Sequence, residues 1–352
     1  MKRVILTGGG TGGHCLPIQV MFDSFSQKKI DCYIITDKRG RSFFPSINQE
    51  KIITIWKPIE SNKRIFQLLN LPIVFIQSLI IFLKLKTNFT IGFGGYITLP
   101  FLLSGSFLRY KIAAHEANAV LGKSNKFLLR QIKYLFTSFD KTQNIHKNFL
   151  NKTIHVGMPI RLYRFSKSIK KNSENNFKIC VIGGSQGAKS FSNSIPKAIM
   201  RLQNENNVRC VVNHQSRKED ISLVKNTYGS RVKSNVRQFF YDMPRRIFES
   251  DLVISRSGSS TVNEIIFYRK PSILIPYPYA IEDHQYHNAR ELEKRLIGKI
   301  ILNQDLNTQK IYLEMLKIFK NKVKRKYIAF SNPKLVNLNP CEKIYDLIKS
   351  DL

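Results

Sequence analysis

KRVILTGGGTGGH, residues 2–14, decides the fold: an apolar run passes into five glycines within six positions and then into a helical pattern. A strand that ends in glycine and turns at once into a helix leaves backbone N–H groups uncovered beside the positive end of the helix dipole. That is a ready place for phosphate or another anion. The same order returns at KICVIGGSQGA, residues 178–188. A chain of 352 residues is long enough for two domains of the usual 100–200 residues, and a hydrophobic content of 43% supplies a core for each.

Working outward from these two starts, short apolar runs alternate with longer helical patterns along the whole chain, the signature of βαβ units and parallel sheets. The first half offers strands at 3–7, 31–36, 52–55, 90–92, 111–114 and 134–137. The second offers 178–182, 208–213, 236–239, 252–255 and 272–275. Between them RFSKSIKKNSENN, residues 164–176, is polar, basic and without period, which places the linker there. The expectation is α/β, with two doubly wound Rossmann-like domains.

Lys and Arg number 57 against 24 Asp and Glu, a net charge of +33. A field of that size attracts nucleic acid, anionic lipid or a phosphorylated substrate, and the total alone does not choose among them. Part of the excess is explained as a solvated basic surface. Five cysteines without a CxxC pair indicate neither a disulfide framework nor a zinc site and fit a reducing compartment. The N-terminal apolar stretch is too short for a secretory signal, so export is not expected. The longest apolar run, residues 71–83, is interrupted by Pro72, Gln77 and Ser78 and is too short to cross a bilayer.

The glycine loops admit more than one chemistry. Gly8, Gly10 and Gly13 satisfy G-x-G-x-x-G, and Asp31 or Asp37 has the spacing of a ribose-binding acid, so a nicotinamide oxidoreductase is one alternative. The second loop departs from that pattern. No Walker-type loop occurs, which disfavours P-loop phosphoryl transfer, and no Asp-x-Asp is present to hold a metal-bound diphosphate. A nucleic-acid binder would account for the charge and for Lys322–Lys326, but not for the glycine loops, and no RRM, zinc finger or helix-turn-helix signature is seen.

Seven motifs in order carry a more specific signal: GGGTGGH (8–14), GFGGY (92–96), HEAN (115–118), GMPIR (157–161), GGSQGA (183–188), RSGSSTVNE (256–264) and PYPYAIEDHQYHNA (276–289). The series resembles that of the MurG family, the bacterial UDP-N-acetylglucosamine transferases of glycosyltransferase family 28. The resemblance implies a GT-B fold, two Rossmann-like domains facing a cleft. One domain would be residues 1–163 plus 334–352, with a C-terminal return helix, facing acceptor and membrane. The other, 164–333, would bind the donor. It implies inverting transfer of GlcNAc from UDP-GlcNAc to the MurNAc C4 hydroxyl of lipid I, with no metal and no cofactor. A lipid disaccharide synthase of the same fold is the nearest rival.

By the same resemblance, Ser185 contacts the diphosphate, Arg161 the nucleotide, Glu264 the ribose hydroxyls, and backbone groups at Phe240 the uracil. Ser259, Ser260, Thr261, Val262 and Asn263 line the nucleotide; Gln285 and Asn118 contact the sugar, and Thr11, Gly12 and Gly13 border the donor. Gly94, Gly95, Tyr96, His115 and Glu116 fall on the acceptor side, with a structural role as the alternative for His115. An inverting transfer needs one base, and His14 is the candidate, its unperturbed pKa of about 6.5 suiting neutral pH; binding acceptor phosphate is its rival role. Ala117, Met158 and His284 depart from the family pattern.

The resemblance implies an acceptor anchored in the cytoplasmic leaflet, so peripheral docking on the cytoplasmic side of the inner membrane is expected, with no nucleic acid as partner. Residues 63–86 carry Ile73, Phe75, Ile76, Leu79, Ile80, Phe82 and Leu83 beside Lys63, Arg64, Lys84 and Lys86. That composition suits either anionic lipid or a core helix, and opposite faces can do both.

Overall fold

The computed structural model describes residues 2–56, 70–161, 176–184, 187–321 and 339–352. Most of the expected linker, Lys63 and Arg64, Ser185, residues 322–326 and residues 334–338 lie outside these. The chain divides into two compact units, 1–161 with 338–352, and 162–337.

The first unit runs β1 (Arg3–Thr7), α1 (Gly12–Gln27), β2 (Asp31–Thr36), α2 (Lys38–Arg41), β3 (Ile52–Thr54), α3 (Leu71–Leu85), β4 (Phe89–Gly92), α4 (Thr98–Phe107), β5 (Lys111–Glu116), α5 (Lys123–Leu128), β6 (Tyr134–Thr137) and β7 (Thr153–His155). Its seven strands are all parallel, in the order β3-β2-β1-β4-β5-β6-β7. The second unit runs β8 (Asn176–Ile182), α6 (Lys189–Asn206), β9 (Arg209–Gln215), α7 (Ile221–Tyr228), β10 (Lys233–Arg237), α8 (Met243–Glu249), β11 (Leu252–Ser255), α9 (Ser259–Tyr268), β12 (Ser272–Leu274), α10 (His284–Lys294), β13 (Gly298–Ile300) and α11 (Thr308–Lys320). Its order is β10-β9-β8-β11-β12-β13, again parallel. A last helix, α12 (Pro340–Ile348), belongs to the first unit.

Continuous apolar strands form because a parallel sheet is covered on both faces. Val4, Ile5 and Leu6 are fully buried, and Leu252, Val253 and Ile254 match them in the second sheet. Helix α6 buries Phe191, Ile195, Ala198, Ile199 and Leu202, the stripe expected of a helix laid on a sheet. Helix α12 is started by Asn339, whose side chain accepts from the N–H groups of Cys341 and Glu342. Its Cys341, Ile344 and Ile348 join the core that contains Ile18, Met21 and Phe25 of α1.

Three strand expectations change. The segment expected at 236–239 is β10, three residues earlier at its start and two at its end, because Phe239 and Phe240 leave the ladder for the loop before α8. Strands β7 and β13 were not anticipated. Each is three residues long, each closes an edge, and neither carries the unbroken apolar run of a central strand.

The chain order reverses at β1/β4 in the first sheet and at β8/β11 in the second. Ligands of doubly wound sheets bind outside the carboxyl ends of the strands at such switch points. Four of the seven sequence motifs begin at those four strand ends: residues 8–14, 92–96, 183–188 and 256–264.

Candidate functional site

In the first unit the loop after β1 is closed by the loop after β4. A Cβ built on Gly95, where φ is +90°, would lie 2.6 Å from Gly9 O and 2.9 Å from Gly9 N, so only glycine permits this approach. Gly94, at φ +94°, lies against the ring of His14: an added Cβ would come within 3.1 Å of Nε2 and Cδ2. Thr98 Oγ1 donates to Gly94 O at 2.7 Å and fixes the second loop to the start of α4.

Thr11 caps α1 with extended backbone, and its carbonyl accepts from the N–H groups of His14 and Cys15. Gly12 is buried under Phe43, and Gly13 follows it in the first turn. His14 Nδ1 stands 3.1 Å from Gly9 O. A carbonyl only accepts, so Nδ1 carries the proton in the neutral ring and Nε2 carries the lone pair. That is the tautomer a general base at Nε2 requires.

The HEAN motif is spent largely on structure. His115 is buried, stacked on Phe93 at 5.2 Å, with Nε2 at 3.0 Å from Gly157 O; burial pushes its pKa down to about 4, so the ring is neutral. Glu116 is buried too. Oε1 accepts from Asn118 N and Nδ2 at 2.9 and 3.1 Å, and Oε2 accepts from Gly122 N and Asn125 Nδ2 at 2.9 and 2.8 Å. Burial raises its pKa, and these four donors work against that shift. Glu116 therefore shapes the 117–122 turn and orients Asn118. Tyr96 is half-buried, its phenol pKa raised by burial, and Arg161 donates to Gln19 on α1. Met158, one of the departures from the family pattern, is buried, and its Sδ accepts from Ser138 Oγ at 3.2 Å.

In the second unit Gly183, Gly184 at φ +84° and Gly187 at φ +69° make the turn from β8 into α6. Gly187 packs against Arg217, where an added Cβ would lie 2.5 Å from Cγ. Beside it, α9 opens its N-terminus at Ser259, Ser260 and Thr261, after a Gly258 that faces open space. The hydroxyls of Ser257 and Ser260 are buried without a partner among the described residues. Val262 is buried, Asn263 Nδ2 donates to Ser259 O at 2.9 Å, and Glu264 is 9% exposed one turn into the helix. Unpaired helix N–H groups, orphan hydroxyls and a carboxylate at one switch point provide donors for phosphate and an acceptor pair for a diol. Phe240 is buried at the turn before α8 with Arg246 over its ring at 4.3 Å. Gln285 Oε1 accepts from Tyr277 N at 3.0 Å, and His284 Nδ1 stands 2.9 Å from Ile281 O.

Sequence reasoning passed over Arg256, the first residue of RSGSSTVNE. Its guanidinium donates to the carbonyls of Ile275 and Pro276 at 3.0 Å each, to Ser190 Oγ at 3.0 Å on the first turn of α6, and to Asn303 Oδ1 at 2.9 Å. All four acceptors are neutral. Burial lowers its pKa to about 10, so it is still a cation at neutral pH. A signal was available: it is the only charged residue between β11 and Glu264. Asn303 had none.

The two acids weighed as ribose ligands are both engaged in the first unit. Asp31 pairs with Arg3 at 2.7 Å and Lys51 at 2.6 Å; burial raises its pKa, and these hydrogen bonds outweigh that and hold it below the usual range. Asp37 Oδ1 accepts from Gly10 N at 3.1 Å and Gly40 N at 2.7 Å. Among the described residues no three His, Cys, Asp or Glu form a group able to hold a metal.

Two Rossmann-like units, each with a glycine loop at its switch point, are the architecture of the GT-B fold. Residues 4–137 match the glycosyltransferase family 28 N-terminal domain, and residues 178–341 match the family 28 C-terminal domain. The chain belongs to glycosyltransferase family 28. It is 33% identical over 333 residues to the UDP-N-acetylglucosamine–N-acetylmuramyl-(pentapeptide) pyrophosphoryl-undecaprenol N-acetylglucosamine transferase of Rickettsia bellii, covering 91% of this chain and 92% of that one. To the enzyme of the same name from Agrobacterium fabrum it is 34% identical over 324 residues, 88% and 83% covered. Its fold is similar to Acinetobacter baumannii MurG, with a TM-score of 0.78 at 22% identity over 99% of this chain and all of that one. It is also similar to a UDP-GlcNAc 2-epimerase from Neisseria meningitidis bound to UDP-GlcNAc, TM-score 0.70 at 13% identity, 99% and 100% covered.

Proposed function

We propose that this chain transfers GlcNAc from UDP-GlcNAc to the C4 hydroxyl of MurNAc in undecaprenyl-pyrophosphoryl-MurNAc-pentapeptide, lipid I, giving lipid II with inversion at the anomeric carbon. The single observation that carries the mechanism is the His14 tautomer. With Nδ1–H held on Gly9 O, Nε2 accepts the proton of the acceptor hydroxyl as its oxygen attacks the anomeric carbon, and the C–O bond to UDP breaks. Residues 1–163 with 334–352 present that base and bind acceptor; residues 164–333 hold the donor.

In the donor unit the N-termini of α6 and α9 face the charge that develops on the departing diphosphate, with the Arg256 cation against the first turn of α6. Glu264 suits the ribose hydroxyls as a two-oxygen acceptor, Ser185 the diphosphate, Phe240 the uracil edge, and Gln285 and Asn118 the sugar.

No helix among the described residues is long and apolar enough to cross a membrane. Docking on the cytoplasmic leaflet rests on the exposed stripe Pro72, Ile76, Ile80 and Leu83 of α3, opposite its buried Val74, Ser78 and Phe82, and on exposed Phe107 of α4. Trp56, the only tryptophan, is 64% exposed and tied to α3 by two hydrogen bonds with Gln77, at 3.1 and 2.9 Å. Lys84, Lys86 and Arg109 are exposed nearby in the chain, and no Asp or Glu occurs between residues 61 and 115. Such a face suits anionic headgroups, each basic residue adding about 1 kcal/mol.

The test is transfer of labelled GlcNAc from UDP-GlcNAc to a lipid I analogue. Product in the presence of wild type is expected; UDP binding without product moves the reading to another acceptor, and absence of UDP binding overturns it. Trp56 fluorescence should shift to the blue on vesicles containing phosphatidylglycerol, and no shift at low salt removes the docking face.

A further inference from the structure

Between the N-terminal halves of α3 and α4 lies a groove of about 420 Å³, inside the range of small-molecule pockets. Among the described residues it is lined by Leu71, Pro72, Phe75 and Ile76 from α3 and by Leu99, Pro100 and Leu103 from α4, with no polar side chain. An apolar cavity open to water is costly unless something apolar fills it. Its position narrows the occupant. Leu99 and Pro100 lie in the first turn of α4, the turn whose Thr98 is bonded to Gly94 O, and Gly94 is the residue against which His14 rests. One turn of helix rises about 5.4 Å, so the groove begins within that distance along α4 of the loop that packs against the base. Its other wall, at Pro72 and Ile76, belongs to the exposed apolar stripe of α3.

Resting on the reading given above, we propose that this groove takes the first isoprene units of the acceptor's own polyprenyl chain, drawing them out of the bilayer and along α4. The pyrophosphate-linked sugar is thereby delivered beside His14. A flat docking face needs neither a groove nor continuity with the catalytic loop. A hydrocarbon chain covalently continuous with the reacting sugar needs both. Basic residues are absent from the lining, so the groove is suited to the chain and not to the pyrophosphate.

The experiment compares kcat/KM for two lipid I analogues, one with a single isoprene unit and one with four, in the same detergent, for wild type and for the groove-filling variants Leu99→Trp and Leu103→Phe. Wild type should prefer the longer chain by about tenfold or more, the size that taking two carbons out of water already produces. In the filled variants the long-to-short ratio should fall toward one. Leu83→Ser, on the exposed stripe but away from the groove, should keep the wild-type ratio while weakening binding to phosphatidylglycerol vesicles that hold no acceptor. An unchanged ratio in both filled variants, each with a wild-type melting temperature, overturns the groove and leaves the transferase reading intact. So does equal loss of acceptor-free vesicle binding in all three variants. Absence of transfer to either analogue by wild type instead overturns the reading on which this one rests.

Discussion

The two glycine loops have the same ancestry in local physics and opposite electrostatic outcomes. In the first unit a carboxylate of the protein itself sits in the loop: Asp37 accepts from Gly10 N and Gly40 N, and the closing loop lays Gly95 on Gly9. The anion such a loop calls for is already supplied, and what it presents outward is an imidazole. In the second unit no carboxylate among the described residues bonds the N–H of Gly183, Gly184 or Gly187; Arg217, paired with Asp220, packs on Gly187, and the Arg256 cation donates to Ser190 in the first turn of α6. On the proposed function, one loop is a rigid mount for a base and the other a receptor for an external anion. A strand–glycine–helix start therefore states that an anion will be bound without stating whose.

The sharpest way to break this comparison is to remove the proposed base from one loop and the proposed diol acceptor from the other. His14→Ala should lower kcat by about 10²–10⁴-fold with UDP affinity within twofold of wild type, as loss of a positioned base does. Glu264→Ala should instead raise the dissociation constant for UDP by about tenfold or more, through loss of hydrogen bonds to a charged acceptor. Parallel titrations of UDP by calorimetry and single-turnover transfer rates separate the two. If His14→Ala weakens UDP and leaves the rate of bound complex intact, the first loop is a donor site and the division of labour is wrong.

A smaller effect follows from the charges behind each loop. Asp37→Ala leaves two backbone N–H groups without their acceptor, one of them on buried Gly40, and should cost about 3 kcal/mol of stability in the first unit while UDP affinity is unchanged. Arg256→Met should weaken UDP by about tenfold with a salt dependence lower than that of wild type, and lose some stability in the second unit as its four acceptors go without their donor. Urea unfolding and UDP binding at two ionic strengths check both. Weaker UDP binding in Asp37→Ala would mean that the first loop, despite its resident carboxylate, holds part of the nucleotide.

How much of this was legible beforehand follows from where burial does the deciding. Strands β1, β2, β6 and β11 were placed to the residue because each is an unbroken apolar run covered on both faces. Edge strands β7 and β13 lack that run, and β10 was displaced toward Phe239 and Phe240, whose apolarity serves the turn and not the ladder. At the site, spacing singled out Asp31 and Asp37 as equally eligible acids. Only the tertiary contacts separate them, one into an ion pair with Arg3 and Lys51 and the other into the loop. The HEAN motif was legible as functional, with a structural role open for His115, but not that Glu116 too lies within the core; a histidine in a motif looks the same whether it faces substrate or Phe93. Arg256 was quoted inside a motif and overlooked because its four partners come from three distant segments.

The smallest expected effect uses the one buried histidine of each core. His115 in the first unit is lowered to about 4 and His214 in the second to about 3, both by burial; His214 keeps Nδ1 3.0 Å from the Tyr228 hydroxyl. A histidine released by unfolding titrates near 6.5, so below that pH the unfolded chain binds a proton that the folded one refuses. The stability each neutral ring contributes is whole above pH 6.5 and falls as the pH drops toward the folded value. By pH 5 the loss is about 2 kcal/mol per histidine. Urea midpoints at pH 7 and pH 5 should therefore drop for both units. His214→Gln, which does not titrate and can still hydrogen-bond Tyr228, should flatten the pH dependence of the second unit alone, and His115→Gln that of the first. Should either substitution flatten both, the two units unfold as one cooperative body, and the independence on which the contrast between their loops depends is lost.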